Sequence, residues 1–193
     1  MKKIILLLPV MAVIISCKES AKTELKISGV LKNAKGKMAY LQETPLGTGQ
    51  RLIVDSFVIG DNGRYSFKAK PGEESLYHLF IKDQGYPFAF VISDEKNITV
   101  NADANVANEF EVKGSEATAA TQKFFKDVEV KWNELNQLGI ASDSANKNNS
   151  SDSVKIAIAE KGNKLSGELK NFIKDFVLKT ESPVGSLLVL AIY

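Results

Sequence analysis

The side-chain period of this chain changes once, at Ser115, and this change constrains the fold more than any other feature. Before Ser115, short apolar runs alternate with polar residues and are separated by turn residues. After it, apolar residues recur every three or four positions. Alternation is typical of half-buried strands, and the longer spacing is typical of amphipathic helices. We therefore predict a mainly β fold with α structure: an antiparallel β-sandwich over residues 24–114, then a helical segment over 115–193.

The clearest strand is the run from residue 64 to residue 70, in which Tyr65, Phe67 and Ala69 are expected to face inward. Just before it, Asp61-Asn62-Gly63 resembles the start of a calcium loop but lacks the later acidic ligands, so we interpret it as a hairpin turn. Seven or eight runs of this length at regular spacing favour a two-sheet sandwich. The apolar run 52–59 indicates a strand covered on both faces, and the runs 76–81 and 88–92 indicate central strands.

The helical segment begins with Ser115 as a predicted N-cap. We expect a loose loop over the small, polar residues 139–151 and a second helix over 152–179, the two helices forming an antiparallel hairpin. The predicted inward-facing residues are Phe124, Val128, Trp132 and Leu135 in the first helix, and Leu165, Leu169, Phe172 and Phe176 in the second.

A third helix is predicted to start at Ser182-Pro183, an N-cap followed by a first-turn proline. Residues 184–193 are apolar on every side and must be buried against something. One alternative is that this segment packs on the helical hairpin. We instead expect it to contact a protein partner or a second copy, and the chain to be a shortened form of a longer protein.

The N-terminus has the layout of a secretory signal: Lys2 and Lys3, an uncharged apolar stretch, then the small residue Ser16. Cys17 follows directly, and this arrangement resembles the lipobox of bacterial lipoproteins. The resemblance implies cleavage between Ser16 and Cys17, removal of residues 1–16, and acylation of the Cys17 thiol. Residues 17–23 are then a short tether. Lys18-Glu19 resembles the charged export signal of surface lipoproteins but contains a single acid, which is fewer than the usual cluster. We therefore expect a lipid-anchored protein of the bacterial cell envelope, in the outer membrane and facing the periplasm; exposure at the cell surface is the alternative left open.

Composition excludes several kinds of chemistry. The chain has 25 Lys and Arg against 23 Asp and Glu, and two of the lysines lie in the leader, so the mature chain has no net charge. A neutral chain has no electrostatic reason to bind nucleic acid. Cys17 is the one cysteine and His78 the one histidine. We therefore expect no cysteine nucleophile and no metal site built from thiolates or from paired histidines. We also expect no catalytic residue and no cofactor.

A second resemblance is carried by a series of short motifs, in this order: Ile27-Ser28-Gly29, Gly36-Lys37 with Leu41, Asp55-Ser56, Asp61 to Phe67, Tyr77-His78-Leu79, Asn97 to Val100 and Val112 to Ser115. Behind a lipobox, these motifs resemble the uncharacterised β-sandwich domain of Bacteroidetes lipoproteins, and the match covers about residues 24–115. That domain typically precedes a thioredoxin-like domain of the TlpA/AhpC type, and residues 115–193 are similar to the connecting segment. The thioredoxin-like part, with its Cys-x-x-Cys, is missing from this chain.

A few single residues carry further hypotheses. We interpret His78 as a strand histidine without chemistry, and Trp132 as a core residue rather than a sugar-stacking one. Ser144 and Ser153 each follow an aspartate and precede an apolar residue, a pattern similar to Bacteroidetes O-glycosylation sites.

Two functions remain open from the sequence. The first is a non-catalytic accessory or binding module of unknown ligand. The second is the N-terminal portion of an envelope thiol-disulfide oxidoreductase. Sugar binding by the sandwich rests on fold analogy alone and is the weakest alternative.

Overall fold

A computed structural model describes residues 24–45, 50–106 and 109–193. Eight strands are followed by three helices. The strands are β1 (Leu25–Lys32), β2 (Met38–Glu43), β3 (Leu52–Val58), β4 (Arg64–Ala69), β5 (Leu76–Ile81), β6 (Ala89–Ile92), β7 (Asn97–Asp103) and β8 (Phe110–Lys113); the helices are α1 (Glu116–Lys147), α2 (Asp152–Lys179) and α3 (Pro183–Ile192).

The strands form two four-stranded sheets, so the predicted fold class is confirmed. The first sheet has the order β4-β1-β7-β8 and the second has the order β3-β2-β5-β6. Their inner faces meet in one apolar core that includes Ile27, Leu41, Phe67, Leu79 and Val100, each fully buried. Tyr65, Phe67 and Ala69 face inward as predicted. The sheets are not purely antiparallel, because β1 and β7 pair in parallel.

Gly29 explains how β1 and β7 approach each other. A Cβ atom at Gly29 would lie 1.8 Å from the carbonyl oxygen of Val100. Tyr65 donates its hydroxyl hydrogen to that same oxygen at 2.8 Å, and Asn101 Oδ1 accepts a hydrogen bond from the Val30 amide. The strands therefore pass too closely here for any side chain at position 29.

The apolar run of β3 is not covered on both faces, contrary to the prediction. Ile53 is 59% exposed and Val58 is 54% exposed. The helix α1 packs instead against β6, which is the edge strand of the second sheet opposite β3, and against β8, which is an edge strand of the first sheet. Among the described residues, no element packs over the outer face of β3.

The helix α1 continues to Lys147, so the loop predicted over 139–151 is wrong. Residues 139–147 include alanines, which favour helix, and Ala145 is buried. The helix ends in a Schellman motif: Asn149 has a left-handed φ of +49°, and the Ser150 amide donates to the Ala145 carbonyl oxygen. The connection to α2 is therefore only four residues, 148–151.

The two long helices form the predicted antiparallel hairpin. Phe124 stacks on Phe172 and contacts Phe176, while Val128 and Leu169 are buried beside them. Trp132 is not a core residue, because its side chain is 45% exposed. Each four-residue step turns an apolar position about 40° around the helix, so Trp132 has rotated away from α2.

The third helix packs on the other helices and also on the sandwich. Ser182 is its N-cap and Pro183 its first residue, as predicted. Glu74, in the β4–β5 connection, accepts hydrogen bonds from the Ser182 hydroxyl and, at 3.0 Å, from the Val184 amide. Val184 also contacts Leu76 of β5. The helix is thus fixed at its N-terminal end to the second sheet.

Candidate functional site

An open groove of about 780 Å³ lies where the second sheet meets the helices. One wall is the outer face of β5 and β6, the opposite wall is α1, and the base is the start of β8. The end of α3 reaches it through Ile192. The lining residues are His78, Pro87, Ala89, Phe90, Glu109, Phe110, Gln122, Phe125, Lys126, Glu129, Val130 and Ile192.

Three phenylalanines give the groove an apolar surface. Phe90 makes edge-to-face contacts with Phe110 and with Phe125, at centroid distances of 5.4 and 6.0 Å. The Gln122 side-chain amide donates to the Phe110 carbonyl oxygen at 2.8 Å, joining α1 to β8. These contacts join sheet and helix, so the groove walls hold each other in place.

Val130 and Ile192 extend this apolar surface outward. Val130 is 58% exposed and Ile192 is 55% exposed. Three charged side chains, Glu109, Lys126 and Glu129, lie beside them. An apolar floor with a few charged groups at its margin is the usual composition of a ligand-binding site in a protein.

His78 is the one ionisable group of the groove that is largely withdrawn from water. Burial, with a smaller contribution from the positive charge of Arg51, lowers the pKa of His78 to about 4. The Nδ1 atom shares a hydrogen bond of 2.9 Å with the Thr44 hydroxyl. The imidazole is therefore neutral near pH 7 and offers hydrogen bonding rather than charge.

Gln42 stands opposite His78 in the pairing of β2 with β5. Its side-chain oxygen is buried and has no hydrogen-bond donor within residues 24–45, 50–106 and 109–193. A buried amide oxygen without a donor is costly, so a water molecule or a ligand donor would stabilise this position. Gln42 does not line the groove itself. Sequence reasoning missed the groove, because its apolar wall comes from residues far apart in the chain.

The other residues singled out from the sequence do not meet in one place. Ser16 and Cys17 lie outside the described residues. Ser144 lies in α1 rather than in a loop, and Ser153 lies in the first turn of α2; both are exposed. Glycosylation at either serine stays a prediction.

The turn at Asp61 to Gly63 is not the predicted hairpin, because it joins β3 to β4 and these two strands lie in different sheets. Gly63 has a left-handed φ of +70°, and Asn62 Oδ1 accepts a hydrogen bond from the Arg64 amide. Asp61 forms an exposed ion pair with Lys35 at 3.2 Å. Across the described parts of the chain, no group of three or more His, Cys, Asp or Glu residues is placed to hold a metal ion. None of the helices in these parts is long and apolar enough to cross a membrane.

Residues 25–120 match the model of a protein family described as "Domain of unknown function (DUF4369)". The matched region contains all eight strands and the first turn of α1. No curated protein and no solved structure matches the chain. The sandwich is thus an uncharacterised domain.

Proposed function

We propose that this chain is a membrane-anchored envelope lipoprotein that acts as a non-catalytic binding module. The observation that carries the binding function is the groove between the second sheet and α1, with its phenylalanine surface and neutral His78. Exposed apolar side chains beside a few polar groups favour a ligand with a substantial apolar part. The groove lies on the side of the sandwich where the helices are added, so both parts of the chain contribute to it.

Binding at the groove is tested with an uncharged hydrophobic fluorescent probe, N-phenyl-1-naphthylamine, and the variant Val130→Lys. Val130 lines the groove and is already largely exposed, so the substitution leaves the fold intact. Val154→Lys is the matched control, because Val154 is 46% exposed in α2 and does not line the groove. We expect Val130→Lys to weaken probe binding roughly tenfold, because the lysine removes an apolar contact with the probe. Val154→Lys should leave probe binding unchanged. Equal binding by both variants would contradict the groove assignment.

The anchoring part of the proposal rests on the sequence around Cys17. Acyl chains contribute about 0.8 kcal/mol per buried CH₂, so two or more chains hold a protein stably on a membrane. Cys17→Ala should release the protein from the membrane fraction or leave it unprocessed. Unchanged membrane association of this variant would contradict lipid anchoring.

We include in the proposal a contact surface on α3. Leu187, Leu190 and Ile192 are each more than half exposed, whereas Val184 and Val189 are buried. A row of exposed leucine and isoleucine side chains on one helix favours a protein partner or a second copy. Leu187→Lys should reduce self-association or probe binding at this surface; no change in either would count against it.

The same surface supports a second candidate function, the N-terminal portion of an envelope thiol-disulfide oxidoreductase. In that case the exposed face of α3 would pack against a thioredoxin-like domain encoded after Tyr193. The chain itself has one cysteine, so the two thiols needed for exchange would have to come from that domain. Sequencing the gene beyond the Tyr193 codon tests this: a frame that continues into a Cys-x-x-Cys domain supports it, and a stop codon refutes it.

A further inference from the structure

One edge of the sandwich, formed by β3 and β4, has an apolar flank. The two strands are edge strands of opposite sheets and follow each other in the chain. Val58 of β3 pairs with Met38 of β2, which lies on the face of β2 that points away from the core. Beyond the register shift in this pairing, Ile53 pairs with Gln42 on the same outer face. Ile53 and Val58 are each more than half exposed, so this flank offers apolar contact to whatever lies beside it.

The other flank of the same edge is cationic. Lys68 of β4 stands directly opposite Lys26 of β1 on the outer face of the first sheet. Like charges in direct cross-strand register destabilise a sheet unless an anion lies near them. Glu24 and Asp55 are the acids beside Lys68. Four exposed cations surround these two acids, so the flank has an excess of positive charge: Lys26, Arg64, Lys68 and Lys70.

The tether at residues 17–23 ends beside this edge. Glu24 Oε1 forms an ion pair with Lys68 Nζ at 2.8 Å, and the Lys68 amide donates to Asp55 Oδ2 of β3 at 2.7 Å. Glu24 therefore lies at the junction of β3 and β4. It is seven residues after Cys17, and seven residues of extended chain span at most about 25 Å. An acylated Cys17 would hold the membrane within that distance of the edge.

The combination of these two flanks fits a lipid surface. Interfacial binding uses apolar side chains at the acyl boundary and lysine or arginine side chains on anionic headgroups. The two sheets of a sandwich are about 10 Å apart, so one surface can contact both flanks of an edge. The apolar surface of α3 lacks the second component, because residues 183–193 contain no lysine or arginine.

We propose that the β3–β4 edge lies against the lipid surface in which Cys17 is anchored, with Ile53 and Val58 at the acyl boundary and the lysines on anionic headgroups. This inference rests on the proposed acylation of Cys17. The groove lies beside β5 and β6, and β6 is three strands or about 14 Å away from β3. Edge contact with the lipid therefore leaves the groove open to a ligand.

The test uses the acylated protein in vesicles of phosphatidylcholine and phosphatidylglycerol. Cys17 is the one cysteine, so once it is acylated an introduced cysteine takes a single nitrobenzoxadiazole label. In Val58→Cys, doxyl groups on the lipid acyl chains should quench most of the label fluorescence; Ile53→Cys provides a second position on the same face. Val154→Cys is the matched control, because Val154 is an exposed valine in α2, and its label should keep its fluorescence.

Two kinds of substitution, made in the labelled Val58→Cys protein, separate the apolar and the electrostatic contact. Ile53→Asp should abolish the quenching, because it places a charge at the acyl boundary. Lys26→Gln and Lys70→Gln should each lower the ratio of quenched to unquenched label roughly fivefold, the usual effect of one lysine near an anionic surface. Lys161→Gln is the control, since Lys161 is an exposed lysine of α2.

Flotation of the same samples distinguishes failure of the contact from failure of the anchor. If the protein floats with the vesicles but the label at position 58 is not quenched, the edge contact is overturned and the anchor stands. A blue-shifted label that the lipid quenchers do not reach would show that another protein surface covers the edge, and also overturns the contact. Equal effects of Lys70→Gln and Lys161→Gln would overturn the role of the cationic flank. Protein that does not float refutes the anchor and, with it, this inference.

Discussion

Gly29 is the residue at which one added methyl group should destabilise the fold most. Its Cβ would lie 1.8 Å from the Val100 carbonyl oxygen and 2.7 Å from the Val100 carbonyl carbon, both backbone atoms. We predict that Gly29→Ala lowers the free energy of unfolding by about 3 kcal/mol, at the upper end of the usual cost of overpacking, because β1 and β7 must move apart. Gly72→Ala is the control, since a Cβ there meets nothing within 4 Å. Equal denaturant midpoints for the two variants would contradict this account.

His78 makes the stability of the fold depend on pH. Its folded-state pKa of about 4 lies below the ordinary value of 6.5, so the unfolded chain binds the proton more readily. The contribution of the neutral His78 ring to the free energy of unfolding is complete above pH 6.5 and is lost as pH falls towards 4. We predict a loss of about 3 kcal/mol across this range that is missing in His78→Gln.

The single histidine also allows a direct measurement of that pKa. An NMR titration gives one set of imidazole resonances, because the chain has no other histidine. A midpoint near 4 is expected, and a midpoint near 6.5 would show that the ring is solvated rather than buried.

At the scale of secondary-structure elements, Glu74 joins α3 to the sandwich. Its carboxylate accepts from the Ser182 hydroxyl and the Val184 amide, so it completes the N-terminal cap of the helix. We predict that Glu74→Ala costs about 1 kcal/mol in the opening of α3, seen as faster hydrogen–deuterium exchange of the amides at 186–190. Glu74→Gln should restore most of the protection because it keeps an acceptor oxygen.

The matched control is Glu73→Ala, one residue earlier, where the side chain is exposed. If Glu73→Ala and Glu74→Ala raise the exchange of α3 equally, the helix is not fixed by the Glu74 carboxylate.

The strands and helices were predictable wherever local patterns decide the structure. Alternation identified the strand at 64–69, and the Ser115 and Ser182 caps identified two helix starts, because these signals lie within a few residues of one another. The sequence does not reveal the end of α1, because its signal, a left-handed Asn149 in a Schellman motif, lies among small polar residues that are also typical of a loop. The exposure of Trp132 depends on the direction from which α2 packs, which a single helical pattern does not give.

At the scale of the whole molecule, two features were not predictable from the sequence: which strands pair with each other, and which faces of the sheets the helices cover. The parallel pairing of β1 with β7 joins residues about 70 positions apart, as in the register of Lys26 with Asn97. The outer face of β3 was expected to be covered because its residues are apolar, yet the helices pack at the other end of the sheet. For the same reason the groove was missed: it exists only because α1 stands beside β5 and β6.

Two surfaces therefore remain apolar on the described molecule, the β3 edge with its Asp55 and the groove with the end of α3. At the first, the Asp55 carboxylate already accepts hydrogen bonds from the Ser56 and Lys68 amides, whereas the second is an open groove lined by phenylalanines. This difference leads us to assign ligand or partner binding to the groove side. The anchored module would then present its groove and α3 to the periplasm while the tether at residues 17–23 holds it at the membrane.

The most direct test of this account is the mass of the N-terminal peptide of the mature, unsubstituted protein. Envelope anchoring, and with it the placement of the binding module at a membrane, depends on processing at Cys17. We predict a peptide that begins at Cys17 and carries the added mass of more than one acyl chain. An unmodified peptide that contains Ser16 and Cys17 together would contradict the account.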